Sequence, residues 1–406
     1  MQKDLIQKGW EKNVIPPFRQ DLVSKIAKDM VEVCAKLKSG QKVIIFYDAP
    51  GGQLAETVAE LSSRKGARVW YYVRNMNIDR TLATFMNNRD IARSQTFLDI
   101  QLHEADVVFL IRAAEDPLVM GAVPNDKMKL WTQAQKTVLM DFRVNHTNWC
   151  LIYWPTPFEA RVEKIPYEEY VNLFFSACNQ PWEKIKEAQK QLVKVLNKGK
   201  ALEISANQND PNITKRTKIA MDIGPMTFAN TIIDVNYPGS EVFSSPVKHS
   251  VNGQIFAPGV YSYAGKKMED IGLIVKDGRI IDAQAKDGQA SLMEILNRDD
   301  GARYFGEIAF GTNPGLRRRL FNPLLNEKVG GSFHITPGKA YELTEVGGEK
   351  VNLDNGNRSS IHWDITILML PQYGGGEIKI DGKTIQKNGR FLDPKLSVLN
   401  EGLTAK

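Results

Sequence analysis

Three carboxylates and two imidazoles stand in four short segments of the C-terminal half. Glu241 lies in Asn-Tyr-Pro-Gly-Ser-Glu-Val-Phe, Glu307 in Phe-Gly-Glu-Ile-Ala, His334 in Ser-Phe-His-Ile-Thr, and His362 and Asp364 in Ile-His-Trp-Asp-Ile. Together these side chains make a full ligand set for two adjacent divalent metal ions. The chain has only 5 histidines, and two of them fall in this set. Mixed oxygen and nitrogen donors suit zinc, cobalt, manganese or iron, and no cysteine has the type or spacing for a structural sulfur site. Such a set activates water, which points to a hydrolase.

Each position alone is ambiguous. His362 and Asp364 are two apart in a β-patterned segment, so a strand would point both to one face. A half-buried strand also carries two polar residues on its solvent face. Glu307 sits in the apolar stretch Phe305-Gly-Glu-Ile-Ala-Phe310. Burying a lone carboxylate there would cost several kcal/mol, so a metal ion or a basic side chain must lie beside it. His334 follows Gly330-Gly331-Ser332, where a satisfied loop histidine is the plain alternative.

Taken in their settings, the segments resemble the family of dinuclear metalloaminopeptidases that includes aminopeptidases T and S. That family carries Pro-x-x-Glu-Val-Phe, Gly-Glu-Val-Ala, a His followed seven residues later by Tyr, and a His-x-Asp. Here they read Pro238-Gly-Ser-Glu241-Val-Phe243, Gly306-Glu307-Ile-Ala309, His334 with Tyr341, and His362-Trp-Asp364. Ser250-Val-Asn-Gly253, Asp300-Gly-Ala-Arg303 and Gly338-Lys-Ala-Tyr341 also fit. The resemblance covers most of the chain and is strongest from 230 to 370. Ser244-Ser245-Pro246 and Tyr237 depart from the pattern, which bears on substrate preference more than on metal chemistry.

The resemblance implies a metalloaminopeptidase that releases N-terminal residues from short peptides at a dinuclear site. Glu241, Glu307, His334, His362 and Asp364 would hold two ions of zinc, cobalt or manganese. Tyr341 would donate a hydrogen bond to the oxyanion of the tetrahedral intermediate, unless it is only a core tyrosine. Glu241 or Glu307 would move the proton to the leaving amine only if loosely held by metal. A homodimer is expected. Which carboxylate bridges the ions stays open at this level.

The elements that must position these residues change in character along the chain. Phe18, Leu22, Ile26, Met30, Val33 and Leu37 recur at helical spacing, and Val43–Tyr47 reads as a buried strand. A helix over 53–65 and strands over 67–73, 106–111 and 136–140 follow. Strands alternating with helices predict an α/β domain with a mostly parallel sheet. Residues 154–181, rich in proline and aromatics, read as an irregular crossover. Residues 182–198 form an amphipathic helix. Lys198-Gly-Lys200 sets the expected domain boundary: 1–198 as an α/β domain that shapes the cleft, 199–406 as a mainly β (α+β) metal-binding domain. In the second domain short alternating segments dominate, Asp277-Gly278 signals a hairpin, and a helix is expected near 288–298.

Composition closes off other classes. The 406 residues carry 53 Lys and Arg against 47 Asp and Glu, a slight excess of +6. The basic run Arg317-Arg318-Arg319 has no interleaved aromatics and reads as a solvated loop, so no nucleic-acid partner is expected; an arginine meeting a substrate carboxylate is the third option. No run of 18 apolar residues predicts a membrane span, and the N-terminus lacks the apolar core of a signal peptide. Three widely spaced cysteines read as reduced thiols, consistent with a cytoplasmic location. The turn Asp48-Ala-Pro-Gly-Gly52 lacks the spacing of a phosphate cradle.

Two other readings compete. Iron-dependent enzymes that open dihydroxypyridine rings look similar to the C-terminal half. One Fe(II) would need only His334, His362 and Asp364, leaving Glu241 and Glu307 surplus. A scaffold protein that kept the fold without activity is the third reading, and the intact ligand set argues against it.

Overall fold

The structure, a computed structural model, describes residues 18–113, 117–135, 138, 143–263 and 265–403. They divide into two compact units. The first holds the described residues up to Cys178 together with Ile233–Tyr237; the second holds Asn179–Ile232 and the described residues from Pro238 onward.

The first unit is α/β. Its five-stranded sheet runs Arg68–Arg74, Lys42–Asp48, Val107–Arg112, Asn148–Tyr153 and Asn236–Tyr237, with every described pairing parallel. The run Val43–Phe46 is buried on both faces, as an inner parallel strand must be. Helix Gln20–Asp29 continues as a π-turn over Met30–Cys34, and Gly52–Arg64 supplies the crossover to the next strand. Most of the strand expected over 136–140 lies outside the described residues; the fourth strand is Asn148–Tyr153. Residues 154–181 are more regular than expected. They fold into helices Pro157–Val162 and Tyr167–Cys178, the first capped by the Thr156 hydroxyl, and the aromatic residues pack edge-to-face around Trp154 instead of breaking the chain.

The second unit is mainly antiparallel β. An eight-stranded sheet contains the hairpin Lys266–Lys276 and Arg279–Asp287, whose turn residues Asp277 and Gly278 take φ of 48° and 78°. Both angles are positive, as a type I′ turn demands. A second sheet has the order Ile365–Leu368, Ser332–Pro337, Phe305–Gly311, Glu241–Ser244 and Ala229–Thr231. Helix Gln289–Leu296 fills the predicted place.

The break expected at 198 differs from the observed division. Helix Trp182–Leu196 packs on Ala229–Thr231, Glu241–Ser244 and Pro394–Asn400, all in the second unit. Residues 233–237 then return to pair with the first sheet. Both features depend on partners distant in sequence, so a local break signal does not reveal them. Among the described residues no helix is long and apolar enough to cross a membrane.

Candidate metal centre

The second sheet gathers the predicted ligands by register. Ala309 pairs with His334, Gly311 with Glu241, and Glu307 with Thr336. Residues opposite one another in an antiparallel pair share a face, as do residues two apart along a strand. Glu307, Ala309 and Gly311 therefore share one face with Glu241, His334 and Thr336. The opposite face carries Ile308 and Phe310, both buried, with Phe310 stacked on Phe228 at 6.0 Å. Gly311 is tightly covered: a Cβ there would come within 2.3 Å of the Val329 carbonyl oxygen.

Two local distortions complete the arrangement. A bulge at Gly306 separates the pairs Phe305–Pro337 and Glu307–Thr336 and aims Glu307 at the site. A Cβ on Gly306 would come within 2.2 Å of the Lys339 carbonyl oxygen. Gly306→Ala should therefore destabilise the protein by roughly 3 kcal/mol or more and weaken metal uptake with it. Thermal melting of the variant checks this, and a melting temperature matching the parent would refute the tight packing.

The second distortion precedes Glu241. Ser240 is fully buried with φ of 100°, a conformation that costs a non-glycine residue about 1–3 kcal/mol. A buried network holds it there. The Gln189 amide donates to Ser240 Oγ at 3.1 Å and to Thr312 Oγ1 at 2.9 Å, and the two hydroxyls lie 2.7 Å apart.

His362 and Asp364 are not within a strand. His362 makes an isolated bridge to Gly338, and Asp364 immediately precedes strand Ile365–Leu368. They converge nonetheless. His362 Nε2 is 3.5 Å from Asp364 Oδ1 and 3.1 Å from Glu307 Oε2. His334 Nε2 is 3.5 Å from Glu307 Oε1 and 3.8 Å from Glu241 Oε2. The structure thus brings all five together as two triads that share Glu307: Glu241, Glu307 and His334, and Glu307, His362 and Asp364. Within each triad the candidate ligand atoms lie within 4.8 Å of one another.

Glu307 Oε2 is buried and close to His362, yet makes no aligned hydrogen bond. His362 Nδ1 lies 2.8 Å from the Lys339 carbonyl, so a proton on Nδ1 leaves Nε2 with its lone pair toward the centre. Thr336 Oγ1 donates to Asp364 Oδ1 at 2.6 Å and fixes that carboxylate. This donor set, rich in carboxylates and with a buried oxygen lacking a hydrogen bond, fits divalent cations.

Charges respond to this crowding. Burial opposes ionisation of Glu307, but His334 and His362 override it and hold the carboxyl far below its ordinary range. Burial likewise lowers the histidines, and the carboxylates outweigh it: His334 is raised to about 9 chiefly by Glu307, and His362 to about 10 by Asp364 and Glu307. Burial and the surrounding carboxylates push the Tyr341 phenol well above its usual value, so it stays a donor. Its ring packs 5.2 Å from that of His362 and 5.5 Å from that of Phe243.

Of the partners open for Glu307, the structure supplies imidazoles; the basic side chain goes to Glu241 instead. Lys328 Nζ is 2.6 Å from Glu241 Oε1 and 3.1 Å from Glu327 Oε2. Burial drives the Glu327 carboxyl up to about 8 against the pull of Lys328. Sequence reading did not find Lys328, Glu327, Thr336 or Gln189. A lone lysine before Val-Gly-Gly and a glutamine within a helix carry no periodic signal. Arg319 is also engaged: its guanidinium lies 4.1 Å over the Tyr261 ring and donates to the Val260 carbonyl.

The donor set is one that could hold metal ions. Residues 19–391 match the thermophilic metalloprotease family (M29), and the chain belongs to that family. It is a peptidase of the metal-dependent class. Aminopeptidase T of Thermus thermophilus is 24% identical over 402 residues, covering 90% of this chain and 95% of the relative. Aminopeptidase AmpS of Bacillus subtilis is 30% identical over 153 residues, 37% of each chain. Among solved structures, AmpT from Thermus thermophilus superposes with a TM-score of 0.73 at 21% identity, over 92% of this chain and 100% of the other. A dihydroxypyridine dioxygenase from Pseudomonas putida KT2440 superposes at 0.55 with 13% identity, over 94% of this chain and 100% of the other. Similarity at that level speaks for shared fold alone and lends the ring-cleaving reading no weight.

Proposed function

We propose that this chain is an aminopeptidase that releases N-terminal residues from short peptides at a site for two divalent ions. The single observation that carries this reading is Glu307, whose two oxygens face different imidazoles, 3.5 Å from His334 and 3.1 Å from His362. Glu241 and His334 would hold one ion, His362 and Asp364 the other, and Glu307, common to both groups, would contribute to each. When bound, zinc, cobalt or manganese would supply an activated water and polarise the scissile carbonyl. The iron alternative, on His334, His362 and Asp364, needs neither Glu241 nor Glu307 as a ligand.

The protein's own groups do the rest. Tyr341, protonated and packed on His362, donates to the oxyanion. Glu241 and Glu307 act as ligands before all else. Glu241 Oε1 is held by Lys328, and both Glu307 oxygens face imidazoles, so neither has the loose oxygen that carrying a proton to the amine requires. By the same family resemblance a homodimer is the proposed assembly, which sedimentation decides.

The test is hydrolysis of aminoacyl-p-nitroanilides by metal-stripped protein, before and after adding zinc, cobalt or manganese. Activity should return with metal and be absent on N-acetylated substrates. Cleavage of acetylated peptides as fast as free ones would overturn the aminopeptidase reading. Tyr341→Phe should lower kcat by about 10²–10³ with metal content unchanged, as loss of one oxyanion donor does. A kcat within twofold of the parent would return Tyr341 to a packing role.

A further inference from the structure

The sheet register explains how Glu241 is brought to the centre, but not why only one of its oxygens faces it. Glu241 Oε2 points toward His334, while Oε1 is taken by Lys328. Lys328 is among the most deeply buried charged residues of the second unit, at 2% exposure. It follows the short helix Pro323–Glu327, and its backbone is fixed there: its carbonyl accepts from Asn313 N at 2.9 Å and its N–H donates to the Leu325 carbonyl at 3.2 Å. Burying an ammonium is costly, so a lysine kept here must be well paired. Its two partners, Glu241 and Glu327, provide that pairing.

We propose that Lys328 is a positioning residue that withholds one oxygen of Glu241, so that this glutamate offers a metal ion a single, partly neutralised donor. The proposal rests on Glu241 being a metal ligand, as argued above. Its consequence is a trade between affinity and reactivity. A fixed positive charge beside Glu241 opposes uptake of a doubly charged ion and reduces the electron density that Glu241 donates. An ion held by weaker donors is the stronger electrophile. Losing Lys328 also frees one side-chain rotamer of Glu241, which opposes binding. That entropic effect is the smaller one, because a full charge acting on a dication at close range in a buried site outweighs a single rotamer.

Lys328→Met should therefore move two quantities in opposite directions. Zinc affinity, measured by competition with a chromophoric chelator, should rise by about tenfold or more. The kcat for an aminoacyl-p-nitroanilide should fall by a similar factor. Lys328→Arg keeps the charge and should hold zinc within about threefold of the parent. A merely structural role would loosen metal and lower kcat together, and Lys328→Met that folds, by its melting curve, with unchanged or weaker zinc affinity overturns the proposal. Should the methionine variant not fold, Lys328→Gln decides. It removes the charge and keeps a hydrogen-bond donor between Glu241 and Glu327, so zinc should again bind several-fold more tightly; unchanged or weaker affinity overturns the proposal. Glu241→Gln in the same titration separates the two ideas. Unchanged zinc affinity there refutes the ligand role of Glu241 itself. A fall there, with no rise in Lys328→Met, refutes only the role of Lys328.

Discussion

Glu307→Gln should lower kcat/KM by about 10³-fold or more, equivalent to about 4 kcal/mol of transition-state stabilisation. The substitution preserves shape and removes charge. The side chain is almost fully buried, with one oxygen facing each imidazole. An amide can offer one carbonyl oxygen but no second anionic donor, and its NH₂ would turn toward one of the two ligand groups. Both ions should therefore be lost or weakened together. Glu241→Gln and Asp364→Asn each belong to a single triad and should weaken one ion while sparing the other. Metal counting by plasma emission after dialysis, run beside the kinetics, tests this pattern. A Glu307→Gln protein that keeps one ion at parental affinity and a tenth of the activity would contradict the shared role of Glu307.

Metal removal should make stability strongly dependent on pH, with a sign set by the histidines. In the metal-free site His334 rises to about 9 and His362 to about 10, from an ordinary 6.5. The folded chain then binds more protons than the unfolded chain between those values. Stability from these two groups is fully present below pH 6.5 and is lost as pH rises through 9 to 10. The depressed Glu307 works in the other direction, contributing above its unfolded value near 4.5 and losing that contribution in acid. Divalent ions replace the histidine protons, and at a thousandfold excess over Kd an ion stabilises by about 4 kcal/mol. The melting temperature with chelator should thus fall from pH 6 to pH 10. The increment gained on adding zinc should be larger at pH 8 than at pH 6, because protons compete less. Chelator-treated protein with a flat melting temperature across this range would show that the imidazoles carry no excess protons.

Much of this molecule is legible in the sequence because it rests on local regularities. The helix over residues 20–34, the strand Val43–Phe46 and the hairpin at Asp277-Gly278 follow from apolar spacing and turn chemistry, which act over a few residues. The ligand residue types were equally visible, since a glutamate amid Phe305-Gly-x-Ile-Ala-Phe310 demands a positive partner whatever the fold. Identifying that partner was beyond local reasoning, and an arginine or lysine was as reasonable as an ion. The regular helices in 157–178 were hidden by proline and aromatic content. There, edge-to-face packing around Trp154 decides the outcome.

By itself the sequence determined which side chains exist to do chemistry and the two kinds of layer that carry them. Periodicity and residue type are properties of the chain alone. Tertiary structure decided which oxygens face which imidazoles, the return of residues 233–237 to the first sheet, and the pairing of Glu241 with Lys328. Those depend on register between strands far apart in sequence. A single-residue shift between Phe305–Gly311 and Ser332–Pro337 would turn His334 away from Glu307, and only the packed sheet, with its bulge at Gly306, excludes that alternative.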